Sequence, residues 1–221
     1  MPLYRHPDQV VLRVKPAAGI FLKAYTTNLI DAQQSAFLTR EGKTIAVVRQ
    51  AKLSEGEALL VIGRAFVDKL LAQLSKYLLL TETQFTLASD LTVYFDSDCA
   101  NKDRDTVIPD KAGCWILSAD KNKTAVMTQE EYTRFRVEHG IPEQGIDFQD
   151  ELPLCIDKTL VDFNKGCYLG QEIVARVHYR GTPPKKLFVK KQSECTPDEF
   201  SRMTSKVDLA GEVTGFIFVL S

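Results

Sequence analysis

Short apolar runs bounded by tight turns recur through the 221-residue chain, and one long amphipathic stretch interrupts them. That alternation limits the possible folds more than any other feature. Phe66, Val67, Leu70, Leu71, Leu74, Tyr77 and Leu78 recur at three- and four-residue steps, which predicts a helix over 64–80. Around it, residues 10–15, 36–39, 44–50, 57–62, 85–88, 91–95, 114–117 and 124–127 read as short strands. Arg40-Glu41-Gly42-Lys43 is the turn of a hairpin between 36–39 and 44–50. A short helix over 17–25 follows Pro16. Thr128-Gln129-Glu130-Glu131 has the form of a capping box, and Gly140 with Pro142 ends the helix it opens. Thr196-Pro197-Asp198-Glu199 is a further helix start, with 196–206 reading as helical and 212–220 as a last strand. Strands following strands, with few helices between, argue for an α+β fold with antiparallel sheets rather than a doubly wound one.

Charge and cysteine usage narrow the function classes. With 28 Lys+Arg against 29 Asp+Glu, the net charge of −1 disfavours a dedicated DNA binder. No apolar run approaches the ~18–20 residues of a membrane span. Residues 1–9 are polar, with Pro2, His6 and Pro7, unlike a signal peptide. Cysteines stand at 99, 114, 155, 167 and 195, an odd set without CxxC, which points to free thiols in a reducing cytoplasm. Dinucleotide, P-loop and zincin motifs are absent. His6, His139 and His178 have no metal-ligand spacing, so no metal is expected. The stretch 96–101 begins like a calcium loop but carries Ala100 and Asn101 where the pattern needs a ligand and a glycine. Asn122-Lys123-Thr124 matches a glycosylation sequon, which has no meaning without secretion.

Residues 163–183 carry the chemistry. They describe a glycine-bounded loop, Gly166 to Gly170, entering a helix with Ile173, Val174 and Val177 on its apolar face. Glu172 falls in the first turn, and Arg176, His178 and Arg180 in the later ones, an order that suits the helix dipole. Gly181 and Pro183 end it. Cys167 precedes this helix and follows Lys165 by two residues, and both neighbours would favour a thiolate. An inert cysteine in a glycine turn is the alternative. The other four cysteines lack such a setting. Lys185, Lys186, Lys190 and Lys191 read as a solvated strand edge.

The run Lys165-Gly166-Cys167-Tyr168-x-Gly170-Gln171-Glu172 resembles the K-G-C-[YF]-x-G-Q-E signature of YgfZ-type folate-binding proteins, relatives of the glycine cleavage T-protein. Ala175-Arg176-x-His178-Tyr179-Arg180-Gly181, the approach Gly140-Ile141-Pro142-Glu143 and Leu152-Pro153 fit the same family. Looser matches are Thr26-Thr27-Asn28, the Gly42 turn, and Pro109-Asp110-Lys111 through Gly113-x-Trp115.

The resemblance implies a tetrahydrofolate-binding accessory protein that supports assembly or repair of iron–sulfur enzymes, including one that modifies tRNA. Its partners would be folate and iron–sulfur client enzymes or cluster-delivery proteins, with neither DNA nor membrane. It implies Cys167 and Lys165 as the reactive pair, and Tyr168, Gln171, Glu172, Arg176, Asn28 and Trp115 as folate-binding residues. The implied fold is two interleaved antiparallel-sheet domains with a C-terminal β-barrel. Residues 1–184 would form the T-protein-like region, with 51–134 as a ferredoxin-like subdomain, and 185–221 a reduced barrel segment. Two departures stand out. T-protein relatives carry an acidic residue in the strand after the Gly42-type turn, but here it reads Thr44-Ile45-Ala46-Val47-Val48, which argues against aminomethyl transfer. Only forty residues follow Gly181, so a folate site built partly by the barrel would be altered. The remaining alternatives are an active folate-dependent one-carbon transferase and a folate-free interaction module, the latter favoured by a pocket filled with side chains.

Overall fold

A computed structural model describes residues 3–100 and 105–221. Met1 and Pro2, and Asn101 of the calcium-like stretch, lie outside the described residues.

Three antiparallel sheets build the fold. The first has the order β3-β4-β5-β2-β6, from β2 (Gln9–Lys15), β3 (Gln34–Leu38), β4 (Thr44–Lys52), β5 (Ala58–Gly63) and β6 (Gln84–Leu87). The second has the order β1-β7-β9-β8, from β1 (Leu3–Arg5), β7 (Thr92–Asp96), β8 (Thr106–Pro109) and β9 (Cys114–Ser118). The stretch 51–134 is therefore divided between two sheets: β5 and β6 lie in one, β7 to β9 in the other.

Strand β2 is apolar on both faces because both are covered. Val10, Leu12 and Val14 pack with Phe21 and Leu22 of α1 (Ala18–Tyr25) and with Leu70 and Leu74 of α2 (Val67–Thr81). Val11 turns the other way, with Leu59 and Val61, onto Phe95, Trp115 and Tyr132. The first sheet is thus sandwiched between two helices and the second sheet.

Helix α3 (Gln129–His139) begins at the capping box. Glu131 N donates to Thr128 Oγ1 at 3.2 Å, and Thr128 N donates to Glu131 Oε2 at 2.7 Å. Gly140 ends it at φ 62°. Its Val137 packs on Val207 and Phe216 of the third sheet. That sheet has the order β10-β12-β11, from β10 (Lys185–Lys191), β11 (Thr204–Leu209) and β12 (Glu212–Leu220).

Where a reduced C-terminal barrel is expected, the C-terminal segment forms an open three-stranded sheet, and no sheet closes among the described residues. Two shorter expectations also change. Residues 124–127 form no strand; instead Val126 N and Met127 N donate to Leu3 O at 3.0 and 3.1 Å, holding the edge strand β1. The helix at Thr196 is capped as expected but runs only over Pro197–Arg202, because Thr204 and Val207 pair with β12.

Candidate functional site

The glycine-bounded loop is held by buried groups and leaves Cys167 at the surface. Lys165 is buried, and its Nζ donates to Thr26 O at 2.5 Å and to Asn28 O at 3.1 Å. The ammonium also lies 5.2 Å from the centre of the Tyr168 ring. Burial brings the Lys165 pKa down to about 8, with Asp162 opposing and Lys23 adding to the shift. Tyr168 is buried against Ala36, Leu38, Val161 and Val174, and burial raises its pKa to about 12. Asn28 Nδ2 donates to Gln34 O and Thr159 O at 2.8 and 3.0 Å. Asn28 Oδ1 and Tyr168 Oη are buried and have no hydrogen-bond partner among the described residues. Cys167 is exposed, Cys114 and Cys155 are buried, and Cys99 and Cys195 are half-buried.

The loop leads into α5 (Gln171–Arg180) through Gly170 at φ 83°. Gln171 N donates to Tyr168 O at 3.2 Å. Gly170 rests on the hairpin turn: a Cβ there would meet the Thr39 carbonyl oxygen and lie 3.4 Å from Gly42 Cα. Gly42 in turn faces Ile173 of α5. A left-handed backbone and a close approach coincide at both positions, so glycine is required twice over. On the outer face of α5, Arg176 pairs with Glu172 at 3.0 Å, with both side chains largely exposed. Phe163 stacks on His178 at 3.7 Å, fastening the loop to the last turn of the helix.

A second polar group lies where the two larger sheets meet. Arg49 Nε pairs with Asp110 Oδ2 at 2.9 Å, and Trp115 Nε1 donates to the same oxygen at 2.7 Å. Burial alone would raise the Asp110 pKa, but the Arg49 charge and the Trp115 and Lys111 donors hold it below the usual carboxylate value. Arg49 also lies over the Trp115 ring at 5.3 Å. His6 stacks on Trp115 with the ring centres 4.6 Å apart, and meets Tyr132 edge-on at 4.7 Å. Burial, with Arg136 and Arg49 nearby, lowers the His6 pKa to about 3, so its ring is neutral at ordinary pH. Arg136 Nη1 pairs with Asp147 at 2.6 Å, and Arg136 Nε lies 3.4 Å from Glu143, whose pKa burial raises. Asp147 Oδ1 also accepts from Thr204 and Ser205, tying this group to β11. The pocket between Arg49, Trp115, Tyr132, Glu143 and Gln144 holds only about 40 Å³, and its continuation past Arg49 towards Asp157 about 20 Å³. That is room for about one or two waters.

Of the residues singled out in the sequence, Lys165, Tyr168 and Asn28 meet beneath the loop that carries Cys167. Gln171, Glu172 and Arg176 lie along α5, and Trp115 belongs to the inter-sheet group. His6, Arg49, Tyr132, Arg136 and Asp147 carry no recognisable motif, whereas Asp110 and Glu143 stood within matched family segments. No group of three or more His, Cys, Asp or Glu side chains among the described residues could hold a metal.

No family model matches the chain. It is 40% identical over 62 residues to the iron–sulfur cluster assembly factor IBA57 homologue of Mycosarcoma maydis, which covers 26% of this chain and 15% of that protein. It is 32% identical over 84 residues to the tRNA-modifying protein YgfZ of Hamiltonella defensa, covering 35% of this chain and 24% of that protein. These matches span well under two thirds of either relative. The fold is similar to that of the glycine cleavage system aminomethyltransferase T of Bartonella henselae, with a TM-score of 0.76 and 15% identity over 99% of this chain and 78% of that one. The chain is thus similar over a quarter to a third of its length to IBA57 and YgfZ proteins, and its fold is similar to that of the T-protein.

Proposed function

We propose that the chain is an accessory protein for iron–sulfur cluster assembly that acts through Cys167. One observation carries this reading: in a chain related to IBA57 and YgfZ, the motif cysteine is exposed on a loop whose flanking residues are locked from beneath. Buried Lys165 and Tyr168 and the Gly170 seat fix the backbone, so a partner meets the thiol in one position. Iron–sulfur client enzymes, those that modify tRNA among them, or cluster-delivery proteins are the proposed partners. The free cysteines suit a reducing compartment such as the cytoplasm. The test is complementation of cells lacking their own copy, read as the activity of iron–sulfur enzymes. Cys167→Ala is expected to abolish rescue; full rescue by that variant overturns the role of the thiol.

Tetrahydrofolate meets a mixed reception in the inter-sheet pocket. Glu143, Gln144 and the Trp115 ring supply the acceptor, amide and aromatic wall that a pterin would use. The space does not suffice: about 40 Å³ falls far below the ~300–1,000 Å³ of ordinary ligand pockets. Folate therefore does not fit this pocket as it stands, and entry would require Arg49, Asp110 and Trp115 to move apart. The filled pocket favours the second reading, a folate-free interaction module. Calorimetry with tetrahydrofolate separates the two, since heat of binding supports folate and its absence the module. Aminomethyl transfer has little support, because the β4 residue lining this pocket before Arg49 is the apolar Val47.

A further inference from the structure

A wider cleft opens beside the filled pocket, sharing only Gln9 with it. It holds about 680 Å³ and lies between β1 and β7 of one sheet and β2 and β6 of the other. We infer that this cleft, bordered by Arg5, His6 and Arg64, binds a small amphiphilic oxyanion: a flat apolar body carrying a phosphate or carboxylate. The inference stands apart from the proposed role of Cys167.

Three observations meet there. First, the volume lies within the range of small-molecule sites, unlike the inter-sheet pocket. Second, the charged residues lining it among the described residues are both arginines, Arg5 and Arg64, in a chain whose net charge is −1. Both are exposed, and neither is committed to a carboxylate among the described residues. A concave surface with charge of one sign concentrates the field and draws the opposite ion. Guanidinium groups match oxyanions through paired N–H donors. Third, Leu87 borders the cleft with its side chain about half exposed, which sets an apolar contact beside the two charges.

The remaining lining explains the apolar half of the ligand. Ala88, Leu91 and Val93 also line the cleft, largely taken up in the packing between the sheets, so Leu87 is the apolar side chain most open to it. Gln9, Ser89 and Gln129 add neutral polar groups at its border. Arg64 N donates to Asp8 O at 2.8 Å, and His6 N to Val93 O at 3.0 Å, which anchors the backbone on each side of the cleft to its own sheet.

The test is an NMR titration of the ¹⁵N-labelled full chain with 1-naphthyl phosphate. Saturable shifts are expected at Arg5, His6, Arg64 and residues 87–92. Arg5→Gln and Arg64→Gln should each weaken binding about tenfold, while Arg64→Lys keeps part of the affinity. Neutral 1-naphthol should bind at least about tenfold more weakly than the phosphate. A parallel titration with 1-naphthoate identifies the preferred oxyanion, the tighter of the two naming it. Thermal unfolding of each variant confirms the fold, and Arg64→Lys serves where a glutamine variant is unstable. The inference is overturned by shifts that do not saturate by about 5 mM, by shifts confined to other surfaces, or by glutamine variants that bind as tightly as the parent.

Discussion

The ammonium of Lys165 lies 2.5 Å from the carbonyl oxygen of Thr26, 139 residues earlier in the chain. Among the described residues no carboxylate bonds it; a second carbonyl, of Asn28, and the face of Tyr168 lie beside it, with Asp162 acting from farther off. A lysine so placed is a cross-link between the N-terminal turn and the thiol-bearing loop, and it titrates early because its charge is poorly hydrated.

The ¹³Cε resonance of Lys165 is therefore expected to titrate with a midpoint near 8, against ~10.4 for a free lysine. The sign follows from the lowered value. Between about 8 and 10.4 the unfolded chain holds a proton that the folded chain has lost, so this group makes stability rise with pH across that window. Lys165→Met removes the donors and leaves two buried carbonyls wanting, which should cost about 1–3 kcal/mol in urea unfolding. A midpoint near the free value, or a variant as stable as the parent, contradicts this arrangement.

His6 contributes to the acid limb. Its folded pKa of about 3 lies below the ~6.5 of an unfolded histidine. As the pH falls from about 6.5 to 3, only the unfolded chain gains this proton, and stability is lost at up to about 1.4 kcal/mol per pH unit. Denaturation midpoints measured from pH 7 to 4 should show that slope, and His6→Phe should flatten it. An unchanged slope in the variant removes His6 as its source.

The Arg49–Asp110 pair is buried, with side chains 13% and 6% exposed. Breaking it from one side is expected to be worse than replacing it. Asp110→Ala should lose about 3–5 kcal/mol, since Arg49 then keeps a buried charge. Arg49→Met with Asp110→Leu should recover much of that loss in the same unfolding assay. Equal losses for the single and double variants would show that the charges matter less than the packing around Trp115.

Local signals are legible in this sequence, and long-range ones are not. The capping boxes at Thr128 and Thr196 are written in four adjacent residues, and both form. The hairpin around Gly42 and the helix after Gly170 are equally local. The last helix is shorter than its local pattern predicts because its stop lies in pairing with β12 rather than in its own residues. Strand β8 carries no local signal, since four residues ending in Pro109 have no period of their own; Trp115 and its neighbours define it by pairing. The site divides along the same line. The Cys167 loop is a contiguous motif. The cluster of His6, Arg49, Asp110 and Tyr132 is assembled from strands and a helix far apart in sequence, and single positions gave no spacing to follow. Proximity in sequence places Lys165 beside the thiol, whereas its side chain turns inward to carbonyls that only the tertiary structure supplies.

The contact between Gly42 and Gly170 carries a consequence for biosynthesis. The hairpin turn, Thr26 and Asn28 all lie within the first fifty residues, while the loop they receive comes late. As the chain leaves the ribosome, its seat exists long before the segment that occupies it. Closing so long an interval is slow and entropically costly. The thiol thus reaches its final setting only after the residues that seat it have waited through the synthesis of the long interval between them, and its accessibility in that setting records a completed long-range closure.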